Sequence, residues 1–285
     1  FEDWADTTDE LDAFALTGSP AFPQGLNIGS QLHWLESLHG VDFRTATLLP
    51  YAQYWAWFLS GNAVSEATSL GCHSDLWNPA AHDFSPMAKR RGWADQFAPM
   101  AKAGDVIGTL QPDLAAATGL SDTVCIHAGL HDSNAALIAA RGFPEIDGKE
   151  ATILSTGTWF VAMRTPAQGV ELPDLPEDRD CLINVDAYGH PIPSARFMGG
   201  REIETLIELD TRRVDIVADQ PALMAAVPDI LASGTMLLPC FAPGFGPFPA
   251  HLGRWINRPE DWFARRAAVC LYAALVAATS LSLIG

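Results

Sequence analysis

Along the chain, apolar residues fall at helical spacing in the stretch Asn27 to Ser37, where Ile28, Leu32 and Leu35 and the adjoining Leu38 share a face and Gly40 follows as a stop. Pro50 to Leu59 predicts a second helix, dense in aromatics and closed by Ser60-Gly61-Asn62. Thr68 to Asn78 reads as irregular or short-strand structure, whereas Met87 to Phe97 and Pro112 to Thr118 read as short helices, the latter ending near Gly119. Thr123 to Ala128 predicts a short buried strand, and Asp132 to Ala140 is helical in composition after its first turn. Ala151 to Leu154 and Trp159 to Met163 predict a hairpin around Ser155-Thr156-Gly157-Thr158. Pro166 to Arg179 is a polar, proline-containing excursion. Helices are predicted over Phe197 to Leu209 and Ala222 to Ala232, and a strand over Met236 to Pro239 that runs into a loop from Phe241 to Pro249.

Between two apolar elements, Phe143 to Lys149 collects glycine, proline and charge. It is the best domain junction, dividing the chain into residues 1–146 and 147–285. The final segment, Ala267 to Gly285, is uncharged and long enough to span a membrane. Its Ala, Ser and Thr content favours a buried helix of an α/β domain instead, so no membrane partner is expected. The acidic N-terminus, Phe1 to Asp6, lacks the charged-then-apolar pattern of a signal peptide. A start at Phe, and a stop where the last apolar segment ends, suggest a piece of a longer protein.

With 285 residues, 48% of them hydrophobic, the chain can bury a sizeable core. A net charge of -17 argues against a broad nucleic-acid surface, and Lys89-Arg90-Arg91 is too short to reverse that. An acidic protein can still bind a nucleotide through local backbone donors. Five cysteines without a CxxC pair favour reduced thiols and a cytoplasmic setting. Cys125 and Cys270, in apolar surroundings, read as small core residues.

Two strand-to-turn segments carry the candidate chemistry. In Gly129-Leu130-His131-Asp132-Ser133-Asn134, Asp132 is an acceptor able to take a proton from a substrate hydroxyl. In Ser155-Thr156-Gly157-Thr158-Trp159, main-chain N–H and hydroxyl donors can wrap an oxyanion. Phosphoryl transfer needs this division of labour. A rival reading takes His127 and His131, four apart, as zinc ligands. Gly129 between them and the strand-like run before them oppose it. The aromatics Tyr51, Tyr54, Trp55, Trp57 and Phe58 could stack on a sugar, although packing is the commoner use.

In their order along the chain, several segments resemble the central portion of an FGGY-family carbohydrate kinase of the rhamnulokinase, fuculokinase and xylulokinase group. They are Leu16 to Pro20, Gln31 to Leu35, Leu49 to Tyr51, Leu59 to Gly61, Ser65 to Ser69, Gly129 to Ala136, Ser155 to Trp159 and Leu237 to Pro239. The resemblance implies an α/β, actin-like (ribonuclease-H-like) ATPase fold, with parts of two lobes flanking a cleft. It also implies ATP-dependent phosphorylation of a ketose or deoxyketose, with Asp132 as catalytic base and His131 and Ser133 at the substrate. Gly157, Thr158 and Gly199 fall on nucleotide-contacting positions, and Mg²⁺ is implied as the metal; no protein metal ligand is assigned. A homodimer is compatible with it. The family's Asp-x-Gly-Thr hairpin and its final Gly-Gly adenosine segment have no counterpart in residues 1–285. This chain by itself is therefore expected to be inactive, and a non-catalytic sugar-binding or degenerate kinase is the alternative.

Overall fold

The computed structural model describes residues 11–22, 25–165, 175–207 and 220–285, apart from the Leu38 side chain. The acidic start Phe1 to Asp6, residues 166–174 of the polar excursion, and the end of the predicted Phe197 to Leu209 helix lie outside the described residues. The described residues form two packed units. One takes those within Phe1–Ala151, Thr165–Asp174 and Leu182–Pro193; the other takes those within Thr152–Arg164, Leu175–Cys181 and Ser194–Gly285.

The first unit begins with α1 (Phe14–Thr17), α2 (Ile28–His39), α3 (Tyr51–Ser60) and α4 (Ala67–Leu70). It continues through β1 (Trp77–Asn78), β2 (Asp83–Phe84), α5 (Pro86–Arg90), β3 (Val106–Thr109), α6 (Pro112–Thr118), β4 (Cys125–His127) and α7 (Asp132–Arg141). The predicted ranges match α2, α3, α6 and α7 to within two residues. Thr68 to Asn78 is less irregular than expected, because the Glu66 carboxylate accepts the Thr68 and Ser69 N–H groups and caps α4. The predicted Met87 to Phe97 helix breaks at Gly92, leaving α5 and a 3₁₀ turn over Ala94–Gln96. Leu32, Leu70, Leu76, Trp77, Met87 and Trp93 form the heart of this unit's core.

Two expectations of burial fail here. Strand β4 is real, but Cys125 and His127 are exposed, since β4 pairs only with β3 among the described residues and a two-stranded ribbon leaves a face open. The aromatic face of α3 is also open: Tyr51 is 78% and Trp55 47% exposed. Their rings meet each other edge-on, with centroids 6.3 Å apart. The basic trio is neutralised locally, Lys89 by Asp83, Arg90 by Asp12 and Arg91 by Glu36.

Next along the chain, β5 (Ala151–Ser155), β6 (Phe160–Thr165), β7 (Cys181–Val185) and β8 (Pro191–Phe197) form one sheet in the order β5-β6-β8-β7. In the second unit β6 and β8 run antiparallel, pairing Phe160 with Phe197 and Met163 with Ser194. Then come α8 (Gly199–Ile207), α9 (Gln220–Ala232), β9 (Met236–Leu238), β10 (Arg254–Ile256) and α10 (Trp262–Ser282). Helix α10 is long and apolar enough to cross a membrane by length and composition, and half of its most apolar window is buried. It packs against α8 and α9, with Ala267, Val269, Tyr272 and Val276 in the core. Cys270 lies on its exposed side, contrary to the expected core position, because its neighbours one helical face away take the buried stripe.

Candidate active site

The acid-bearing turn belongs to the first unit. Strand β4 ends at His127, and Gly129 takes φ +76°, a conformation that a side chain would strain. The chain then enters α7, with His131 as its N-cap residue and Asp132 in its first turn. The backbone groups of Ala128, Gly129 and His131 in this turn have partners. Ala128 N–H donates to Asp105 O (3.0 Å) and Gly129 N–H to Ala103 O (3.1 Å). From α3 the buried Gln53 side chain donates through Nε2 to Ala128 O and Gly129 O, both at 3.2 Å. Thr68 Oγ1 of α4 accepts the His131 N–H at 2.9 Å and itself lies 2.5 Å from Glu66 Oε2, to which it donates.

On this fixed base the Asp132 carboxylate reaches outward, its side chain 93% exposed. Oδ1 accepts the Ser133 N–H at 2.6 Å and lies 3.3 Å from His131 Nδ1. A negative charge there is favoured by the N-terminus of α7. His131 is mostly covered, and burial holds its imidazole below the usual histidine range, opposed by the Asp132 charge. Its ring meets His73 edge-on at 6.4 Å, and His73 meets Phe22 at 5.6 Å. Burial pushes the Glu66 carboxyl up, against the pull of its donors Thr68 and Ser69. His131, Asp132 and Ser133 are thus one cluster. His127 is separate: it is exposed on β4, with Nδ1 2.8 Å from the Gly104 carbonyl. Among the described residues no group of three or more His, Cys, Asp or Glu gathers to hold a metal ion.

The Ser155 to Trp159 turn belongs to the second unit. Ser155 ends β5, Thr156, Gly157 and Thr158 are exposed, and Phe160 begins β6. Against this turn lies the start of α8. A Cβ at Gly200 would sit 2.1 Å from Gly157 O and 3.0 Å from Thr158 Cα, so only glycine lets the two main chains touch. Gly199 has a different role in the packing: it is buried, and a Cβ there would strike the Phe160 and Phe197 rings at 2.7 and 2.8 Å. Gly157 and Thr158 are therefore brought together with the Gly199-Gly200 step, and a helix N-terminus faces the turn.

The far shoulder of this turn is tied down by groups that spacing could not reveal. The Arg196 guanidinium stacks 4.5 Å above the Trp159 ring, and Nε donates to Asp180 Oδ1 at 2.8 Å. Asp180 Oδ2 accepts the Gly246 N–H, also at 2.8 Å. Further along α8, buried Glu202 accepts from Phe241 N–H, Ala242 N–H and Tyr272 OH, which anchors the loop after β9. Burial, reinforced by Glu202, pushes the neighbouring Cys240 thiol up to about 12.

Comparison with known proteins finds family matches along both parts of the chain. The FGGY family of carbohydrate kinases, N-terminal domain, matches residues 2–139, and carbohydrate kinase FGGY, C-terminal domain, matches residues 148–285. A carbohydrate kinase from Novosphingobium aromaticivorans is 68% identical with a TM-score of 0.88, the match covering 99% of this chain and 61% of that one. L-fuculokinase of Escherichia coli strain K12 is 29% identical over 163 residues, which make up 54% of this chain and 32% of the relative. Xylulose kinase from Rhodospirillum rubrum, at 19% identity, shares the fold with a TM-score of 0.69 over 100% of this chain and 58% of its own. The match thus covers less than two thirds of the length of each of these relatives.

Proposed function

The chain belongs to the FGGY family of carbohydrate kinases, with their α/β actin-like ATPase fold, and from that premise we propose that the protein carrying it phosphorylates a ketose or deoxyketose with ATP. The observation that carries this reading is an outward-facing carboxylate, Asp132, standing on a turn whose backbone is held from three sides. A general base needs that combination: freedom at the oxygen and rigidity beneath it.

Asp132 orients the sugar hydroxyl and takes its proton as that oxygen bonds to the γ-phosphorus and the bond from phosphorus to the ADP oxygen breaks. His131 and Ser133 flank the carboxylate and offer the sugar polar contacts. A neutral His131, favoured by its burial, adds no second charge beside the base. The close approach of Gly200 to Gly157 supports a polyphosphate at Gly157 and Thr158. A side chain at residue 200 would fill the cradle, and main-chain donors with a helix N-terminus suit an anion. Gly199 seats that helix start by packing under it. When bound with the nucleotide, Mg²⁺ offsets charge on the phosphoryl oxygens. The two lobes are proposed to divide near 146, and the setting to be cytoplasmic.

The test is a coupled ATP-consumption screen of the intact protein carrying this chain against a panel of ketoses, deoxyketoses and polyols. Sugar-dependent ADP release supports the kinase reading. Sugar binding by calorimetry, with neither ATP binding nor turnover, replaces it with a non-catalytic sugar-binding protein.

A further inference from the structure

Resting on the kinase reading, we propose that Thr68 and Glu66 are positioning residues for Asp132, acting through the His131 amide. Thr68 Oγ1 has a single proton, and it goes to Glu66 Oε2 at 2.5 Å. The hydroxyl's lone pair is thereby turned toward the His131 N–H, which it accepts at 2.9 Å. The result is a directed chain, from the His131 N–H to the Thr68 hydroxyl to the Glu66 carboxylate.

That chain has features of a device for fixing geometry. Its terminal carboxylate is 1% exposed as a residue and is held in place as the cap of α4, where the same oxygen also accepts the Thr68 and Ser69 N–H groups at 3.0 and 3.3 Å. Thr68 is fully buried, so no water competes with the His131 amide for its hydroxyl. The link spans 63 residues of sequence and reaches the residue immediately before the proposed base. It also acts opposite Gln53, which holds the carbonyls of Ala128 and Gly129 while Thr68 holds an amide. Donor and acceptor restraints on one short turn leave the Cα of Asp132 little freedom, although its carboxylate is open to solvent. A capping role alone would need Glu66 and the α4 amides; it would not need the Thr68 hydroxyl to reach His131.

The experiment compares Thr68→Val, Thr68→Ser and Glu66→Gln in the intact protein carrying this chain. It reads kcat and KM for sugar and ATP, together with hydrogen exchange at the His131 amide. Thr68→Val is expected to lower kcat about a hundredfold with KM for ATP little changed, as for a base misplaced by about an ångström. It should also speed His131 exchange about tenfold, the loss of one hydrogen bond. Thr68→Ser, which keeps the hydroxyl, should restore both to within about threefold of the parent. The proposal is overturned if Thr68→Val keeps native exchange and kcat, or if Thr68→Ser falls as far as Thr68→Val. Should Thr68→Val not fold, Glu66→Gln decides: faster His131 exchange with helix content retained supports the relay, and unchanged exchange overturns it. A parent protein that consumes no ATP with any sugar would overturn the kinase reading separately, because the exchange comparison needs no turnover.

Discussion

The turn before Asp132 and the turn at Gly157 are built by opposite means. The first is braced by side chains: Gln53 and Thr68 come from helices far away in sequence and bond directly to its backbone. The second is shaped by the lack of one, since the start of α8 reaches Gly157 only because residue 200 has no Cβ. The contrast follows from the proposed tasks. A side-chain base must be aimed, so its backbone is fixed by buried polar partners. A main-chain anion site must be approached closely, so bulk is removed around it.

The sharpest way to break this comparison is at the carboxylate itself. In the intact protein, Asp132→Asn should cost about 10² to 10⁴ in sugar phosphorylation while ATP affinity measured by calorimetry is kept. Retained turnover would take Asp132 out of the role of base. A smaller effect is expected from Gly200→Ala, whose new methyl meets backbone rather than a flexible side chain. It should cost about 1–3 kcal/mol of stability in denaturant titrations and weaken nucleotide binding, leaving sugar binding intact. If nucleotide affinity is unchanged, the close approach serves packing alone.

The smallest effect concerns His131 and its pH dependence. Because its folded pKa is lowered, the unfolded chain binds more protons as pH falls through the ordinary histidine range, so the folded state loses stability on acidification. Glu66, with its carboxyl pushed up, works in the other direction above the usual glutamate range, which makes a variant comparison necessary. Between about pH 7.5 and about pH 5.5, the parent should therefore lose more unfolding free energy than His131→Gln does. Equal losses would mean that His131 is not held neutral by burial.

Local rules located the helices well where a stop signal followed, as at α2, where apolar spacing agreed with Gly40, and at α6 with Gly119. They missed β7 and β8, whose residues are buried throughout and so show no alternation, with prolines at 191 and 193 obscuring the second. They also misjudged Cys125 and Cys270, because an apolar neighbourhood in sequence does not say which face of a strand or helix is covered. At the site, small residues and hydroxyls beside an acid were enough to mark Asp132 and the Gly157-Thr158 turn. The resemblance had marked the Gly199-Gly200 step, but nothing in the spacing pointed to Thr68, Gln53 or Arg196 as groups that hold these turns.

The order of residues by itself thus marked which groups are candidates for chemistry and which stretches become helices, since both readings draw on neighbours within a few residues. Tertiary structure alone decided which polar side chains reach the two turns, which glycine must stay bare, and which apolar faces stay open. Those outcomes depend on hydrogen bonds and close approaches between segments tens of residues apart, and such pairings exist only once the chain has packed.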